Sequence, residues 1–160
     1  MKNSFTLIVL SSLVGVGIYS LASEYNNEYN VTTDKTAFTL RADCSLLLKE
    51  CERIQYDLEN YSQHFQRFNE ELKKQGAKVG FLNRSIMWVK SIVSSLDSDL
   101  RHIAALHGNC LCVSGKVNLS EDLKDLLAKT NDRYYQTRNR IMALKTSLLA
   151  FRNKLQPNLN

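Results

Sequence analysis

Apolar side chains recur at alternating intervals of four and three residues from Leu40 through Cys44, Leu47, Cys51, Ile54, Leu58, Tyr61, Phe65, Phe68 and Leu72. After Gln75, the one polar member, the stripe resumes at Val79, Leu82, Ile86, Val89, Val93, Leu96, Leu100 and Ile103. An α-helix with such a stripe must bury it against another helix, in a second copy or in its own chain. A second repeat runs through Leu123, Leu127, Thr130, Tyr134, Thr137, Ile141, Leu144, Leu148, Phe151 and Leu155, with two threonines softening its middle. The pattern predicts two long helical segments, a coiled coil over 40–107 and a C-terminal helix over 119–155, followed by a tail at 156–160.

Between them, His107-Gly-Asn-Cys-Leu-Cys-Val-Ser-Gly-Lys-Val-Asn118 concentrates glycine, asparagine and cysteine. It reads as a Cys-containing loop over 108–118, with Asn118 or Ser120 placed to cap the next helix. Gly76 and Gly80 are the weak points of the first segment, each costing ~1 kcal/mol relative to alanine. If the helix continues through them it is a rod of about 95 Å. If it breaks, the two halves form an antiparallel hairpin. With six glycines and a single proline, Pro157, the fold class is all-α.

The amino terminus changes the picture from fold to compartment. Residues 1–3 carry Lys2, and 4–23 is an uncharged run rich in Leu, Val and Ile, about the ~20 residues needed to cross a bilayer. Ser20-Leu21-Ala22 resembles a signal-peptidase site, which would release a soluble protein. Without cleavage, Lys2 keeps the short end cytoplasmic and 4–23 is a signal-anchor, making a single-pass type II protein. Residues 24–39 then form a polar linker.

Four cysteines in an exported chain meet oxidising conditions, so Cys44, Cys51, Cys110 and Cys112 are disulfide candidates. Cys44 and Cys51 are about 10 Å apart along one helix and cannot bridge each other. In a parallel homodimer each faces its own copy. In a hairpin turning near Lys78, Cys44 approaches Cys112 and Cys51 approaches Cys110. His102, His107, Cys110 and Cys112 invite a zinc reading, but the spacings lack the paired knuckles of structural zinc sites, so no metal or other cofactor is expected. Asn30, Asn60, Asn83 and Asn118 open glycosylation sequons, which matter in a eukaryotic secretory route.

Charge is uneven. Residues 24–118 hold 12 basic and 12 acidic side chains, whereas 119–160 hold 8 and 4, with no acid after Asp132. This suits a helix dipole or a patch facing an anionic surface. No module interleaves basic and stacking residues as nucleic-acid binding requires, and no phosphate loop, nucleophile elbow or His-Glu-x-x-His pair occurs. The sequence therefore reads as a non-enzyme.

The segment Leu127-Ala-Lys-Thr-Asn-Asp-Arg-Tyr-Tyr-Gln-Thr-Arg-Asn-Arg-Ile-Met-Ala-Leu-Lys-Thr-Ser-Leu148 resembles the C-terminal helix of phage inner-membrane spanins, Rz-like lysis proteins. Leu100-Arg-His-Ile-Ala-Ala-Leu-His-Gly-Asn-Cys110 is similar to the place where the coiled coil of that family ends in a Cys-bearing linker. The resemblance implies an uncleaved anchor in the host bacterial inner membrane, with the bulk of the chain in the periplasm; the heptad core itself, with Val79, Ile86 and Val93 at one position and Leu82 and Leu96 at the other, predicts a parallel homodimer cross-linked through Cys44 or Cys51. It implies a C-terminal helix binding a small outer-membrane lipoprotein through Tyr134, Ile141, Leu144, Leu148 and Phe151, and a function in the last step of phage lysis, when inner and outer membranes are bridged and disrupted. The competing readings are a secreted, disulfide-stapled helical-bundle ligand or inhibitor, and a bitopic coiled-coil scaffold of the bacterial envelope.

Overall fold

The computed structural model describes residues 3–75, 78–115 and 118–156, with side chains described over 36–74, 78–115 and 118–156. Three helices, α1 (Asn3–Gln75), α2 (Val79–Ser114) and α3 (Glu121–Leu155), pack all against all, and no strand occurs among the described residues. The anchor expected at 4–23, the linker to residue 35 and the tail beyond Gln156 lie outside the described side chains. Where side chains are described, no helix is long and apolar enough to cross a membrane.

α1 ends at Gln75 and α2 starts at Val79 in the opposite direction, so the stripe from Leu40 to Ile103 is two antiparallel helices and the long coiled-coil segment expected over 40–107 is divided. Lys78 starts α2 by accepting hydrogen bonds from the backbone N–H groups of Phe81 (2.9 Å) and Leu82 (3.0 Å). The stripe keeps its phase through the turn, yet Val79 is 59% exposed. That is the residue displaced from the seam when the chain reverses. The expected loop is also corrected: α2 continues to Ser114. Leu106, His107 and Cys110 extend its inward face with Val113 packed beside them, and their burial offsets the cost of Gly108. Ser120 precedes α3 without a side-chain cap. Its carbonyl instead accepts from Leu123 and Lys124, both at 3.0 Å.

The core is the predicted pair of stripes closed on each other. Leu40, Leu47, Ile54 and Leu58 of α1 meet Leu82, Val89, Leu96 and Ile103 of α2 and Leu123, Ile141, Leu148 and Leu155 of α3. Arg53 ties α1 to α2, bonding Asp99 at 2.9 Å as well as Glu50 and Asp57 on its own helix. Asp99 first, then Glu50, raise its pKa further and hold it charged. Across the other two interfaces, Arg140 lies 3.6 Å from Glu59 and Lys145 reaches Asp97. These pairings make α1 and α3 parallel, with α2 antiparallel to both. The packed part of α1 enters the bundle at one pole, and the turn between α1 and α2 and the end of α3 share the other.

Candidate functional site

The residues expected to form a partner-binding face are consumed by the bundle itself. Ile141 and Leu148 are fully buried, Tyr134 and Phe151 nearly so, and Leu144 packs at the edge of the core. Phe151 sits edge-on to Phe65 of α1, with ring centroids 5.2 Å apart. In this closed form these side chains contact their own chain rather than a free surface.

The seam of α3 is partly polar: Thr130 donates to the Leu126 carbonyl of its own helix at 2.7 Å, and other groups find partners on α1 and α2. Gln55 Nε2 donates to Thr137 Oγ1 at 3.3 Å, and Arg133 donates to Gln55 Oε1 at 3.2 Å. His107 Nε2 and Asn131 Oδ1 lie 2.8 Å apart, while the imidazole stacks on Tyr134 at 4.0 Å and meets Tyr135 edge-on. Buried polar groups with complementary partners fix the register of a helix more than they strengthen it. Sequence reasoning missed this set, because its members are isolated polar residues in three separate segments.

The thiols sort into different environments. All four are free; Cys44, Cys51 and Cys110 are buried and Cys112 is exposed. Neither pairing expected for a hairpin is made. The register of the antiparallel α1–α2 pair brings Cys44 opposite Cys110, both in the same buried core cluster. Cys112, two residues further along α2, points away to solvent. Cys51 instead meets Thr137 of α3. Burial raises the pKa of Cys51, and burial together with the Cys44 thiol pushes Cys110 up to about 12. Of the group His102, His107, Cys110 and Cys112, His107 is engaged by Asn131, Cys110 faces α1, and His102 lies 3.8 Å from Glu50. Among the described residues no group of His, Cys, Asp and Glu could hold a metal ion.

A shallow surface hollow is lined by Asp125, Ala128, Lys129, Asp132, Arg133 and Gln136, all from α3. One helix face open to solvent supplies no enclosed reaction site. More distinctive is the charge at the pole holding the turn, where Arg67, Lys73, Lys74, Lys78, Arg84 and Arg152 gather against only Glu70 and Glu71 among the described residues. Among the described residues no ion pair joins Lys73, Lys74, Lys78 or Arg84 to an acid. Cations at the ends of α1 and α3 complement those helix dipoles. Lys78 and Arg84 do the opposite at the start of α2, whose first turn has no acid. The basic pole therefore exceeds what the dipoles require, and Val79 and Met87, 59% and 65% exposed, add apolar surface there. At the other pole Asp43, Glu121, Asp122 and Asp125 stand beside Arg41, Lys124 and Lys129, so the described side chains there are close to balanced.

Comparison with protein-family models, curated proteins and solved structures finds no match to this chain.

Proposed function

We propose that this chain is a non-enzymatic spacer of a bacterial envelope, acting as the inner-membrane spanins it resembles are expected to act. Residues 4–23 anchor it, and the three-helix bundle presents its far pole to an anionic component of the opposing membrane during the last step of lysis. The observation that carries this reading is the charge polarity: the described part of α1 begins at one pole, and the cations collect at the other. Opposed charge at the tip steers and orients an encounter more than it fixes affinity. A small outer-membrane lipoprotein is the partner that the resemblance implies. In this fold the basic pole, rather than the stripe of α3, is the surface offered to it.

The test is lysis of a Gram-negative host by a wall-degrading enzyme in the presence of divalent cations. Cells with the wild-type chain and its lipoprotein are expected to burst. Cells with Lys73→Glu, Lys74→Glu, Lys78→Glu and Arg84→Glu together are expected to stall as wall-free spheres, although the protein stays folded and membrane-bound. Equal lysis by the two would remove the basic pole from the function, and failure of the wild type would remove the spanin reading itself.

A second reading, a secreted helical-bundle ligand, is favoured by one observation: the stripes are satisfied within one chain. Cleavage after Ala22 separates the two. A mature mass beginning at Ser23 supports the secreted ligand, and recovery of peptides from 4–23 in the membrane fraction supports the spacer.

A further inference from the structure

The α1–α2 interface brings two fully buried thiols face to face in the pole nearest the start of the bundle, and neither has a role in the function proposed above. Cys44 and Cys110 both have no solvent exposure and belong to one core cluster. Their juxtaposition follows from helix register. Arg53 meets Asp99 and Glu50 approaches His102, so stepping along the antiparallel pair toward the start of α1 sets Cys44 against Cys110. The other two cysteines have different neighbours: Cys51 faces Thr137, and Cys112 is exposed.

We propose that Cys44 and Cys110 are oxidised to a single intramolecular disulfide stapling α1 to α2, and that the bond forms while the helices assemble rather than after they have closed. In this step each sulfur loses its proton and the S–S bond forms. The electron pair passes to a disulfide-bearing oxidant, a small-molecule or protein disulfide, whose own S–S bond breaks to two thiols. Exchange runs through a mixed disulfide and requires a thiolate that the oxidant can reach. The closed bundle denies both, since the sulfurs are out of contact with solvent and burial strongly opposes ionisation of Cys110. The same burial shields the finished bond from reductants. The two thiols are free and not at bonding distance, so reaching the ~2.0 Å of a disulfide requires the helices to shift, and the end of α2 can move because Cys110 lies about one turn from Ser114.

The experiment uses the full chain in detergent. Reduced, unfolded protein is refolded with oxidised glutathione, free thiols are alkylated, and the unreduced protein is digested with trypsin for mass spectrometry. The expected product joins the peptide holding Cys44 to the peptide holding Cys110, with Cys51 alkylated. Cys110 and Cys112 share one tryptic peptide, so the Cys112→Ser variant must keep the link and Cys44→Ser must lose it. The same oxidant added to folded, reduced protein is expected to form the link roughly a hundred-fold more slowly or less. Alkylation at the moment of lysis in cells that export the chain gives a second measurement, independent of refolding, and is expected to find the same link. A different pairing, or no link by either route, overturns the proposal. Equal rates for folding and folded protein overturn its timing.

Discussion

At the residue scale, burial rather than catalysis accounts for the unusual ionisation. The folded bundle holds Cys110 protonated up to about 12, whereas the unfolded chain ionises near the ordinary value of 9.0. Between those limits the unfolded state binds fewer protons, so the reduced protein is expected to lose stability as pH rises through that window. Burial acts in the same direction on Cys51 and Tyr61. Urea midpoints measured across the window should fall, and Cys110→Ala should lessen the slope without abolishing it. Arg53 is half-exposed and its three ion pairs are correspondingly modest. Arg53→Ala is expected to cost about 1 kcal/mol at low ionic strength, and a chemical-denaturation series in added salt should shrink the difference. Cys112, the exposed thiol, is the one placed to cross-link copies of the chain. Any dimer band on non-reducing gels should vanish with Cys112→Ser and persist with the double change Cys44→Ser, Cys51→Ser.

At the scale of elements, the heptad stripes name almost every core residue, because a helix that must bury a seam shows it in its spacing. They do not say whose helix fills the other side. Only the exposure of Val79 shows where the first stripe yields to the turn, and that is a property of the folded chain. The Cys-containing loop was misplaced for a related reason. Glycine and asparagine at 108 and 109 signal a break locally, whereas the inward positions of Leu106, His107 and Cys110 are set by contacts with α1 and α3. Within α3 the apolar contacts are unequal, since Thr130 and Thr137 occupy fully buried positions of the seam. Ile141 must supply much of the packing that they do not. Ile141→Ala is expected to cost about 2–5 kcal/mol. Hydrogen exchange should show the amides of α3 losing protection before those of the α1–α2 hairpin.

At the scale of the whole molecule, the basic pole was the least legible feature. Sequence reasoning noticed the cationic C-terminal segment, but the pole is assembled from the end of α1, the start of α2 and the end of α3. Its one linear trace is Lys73, Lys74 and Lys78 around Gly76, which reads as an ordinary helix end until the fold adds Arg84 and Arg152. The opposite pole has no such excess of cations, so reversal of Lys124 and Lys129 there should leave membrane-bridging activity unaltered where reversal at the turn abolishes it. The lysis assay compares the two directly.

The parallel course of α1 and α3 has a mechanical consequence. Tension applied between the packed start of α1 and its end at Gln75 runs along α1 alone, so a partner gripping that end pulls on one helix and leaves the α2–α3 contact unloaded. Tension applied to the end of α3 must instead slide three packed helices past one another, putting the whole side-by-side interface in shear. Two attachment points at the same pole, a few residues of surface apart, would therefore make the same bundle a compliant tether in one case and a stiff strut in the other.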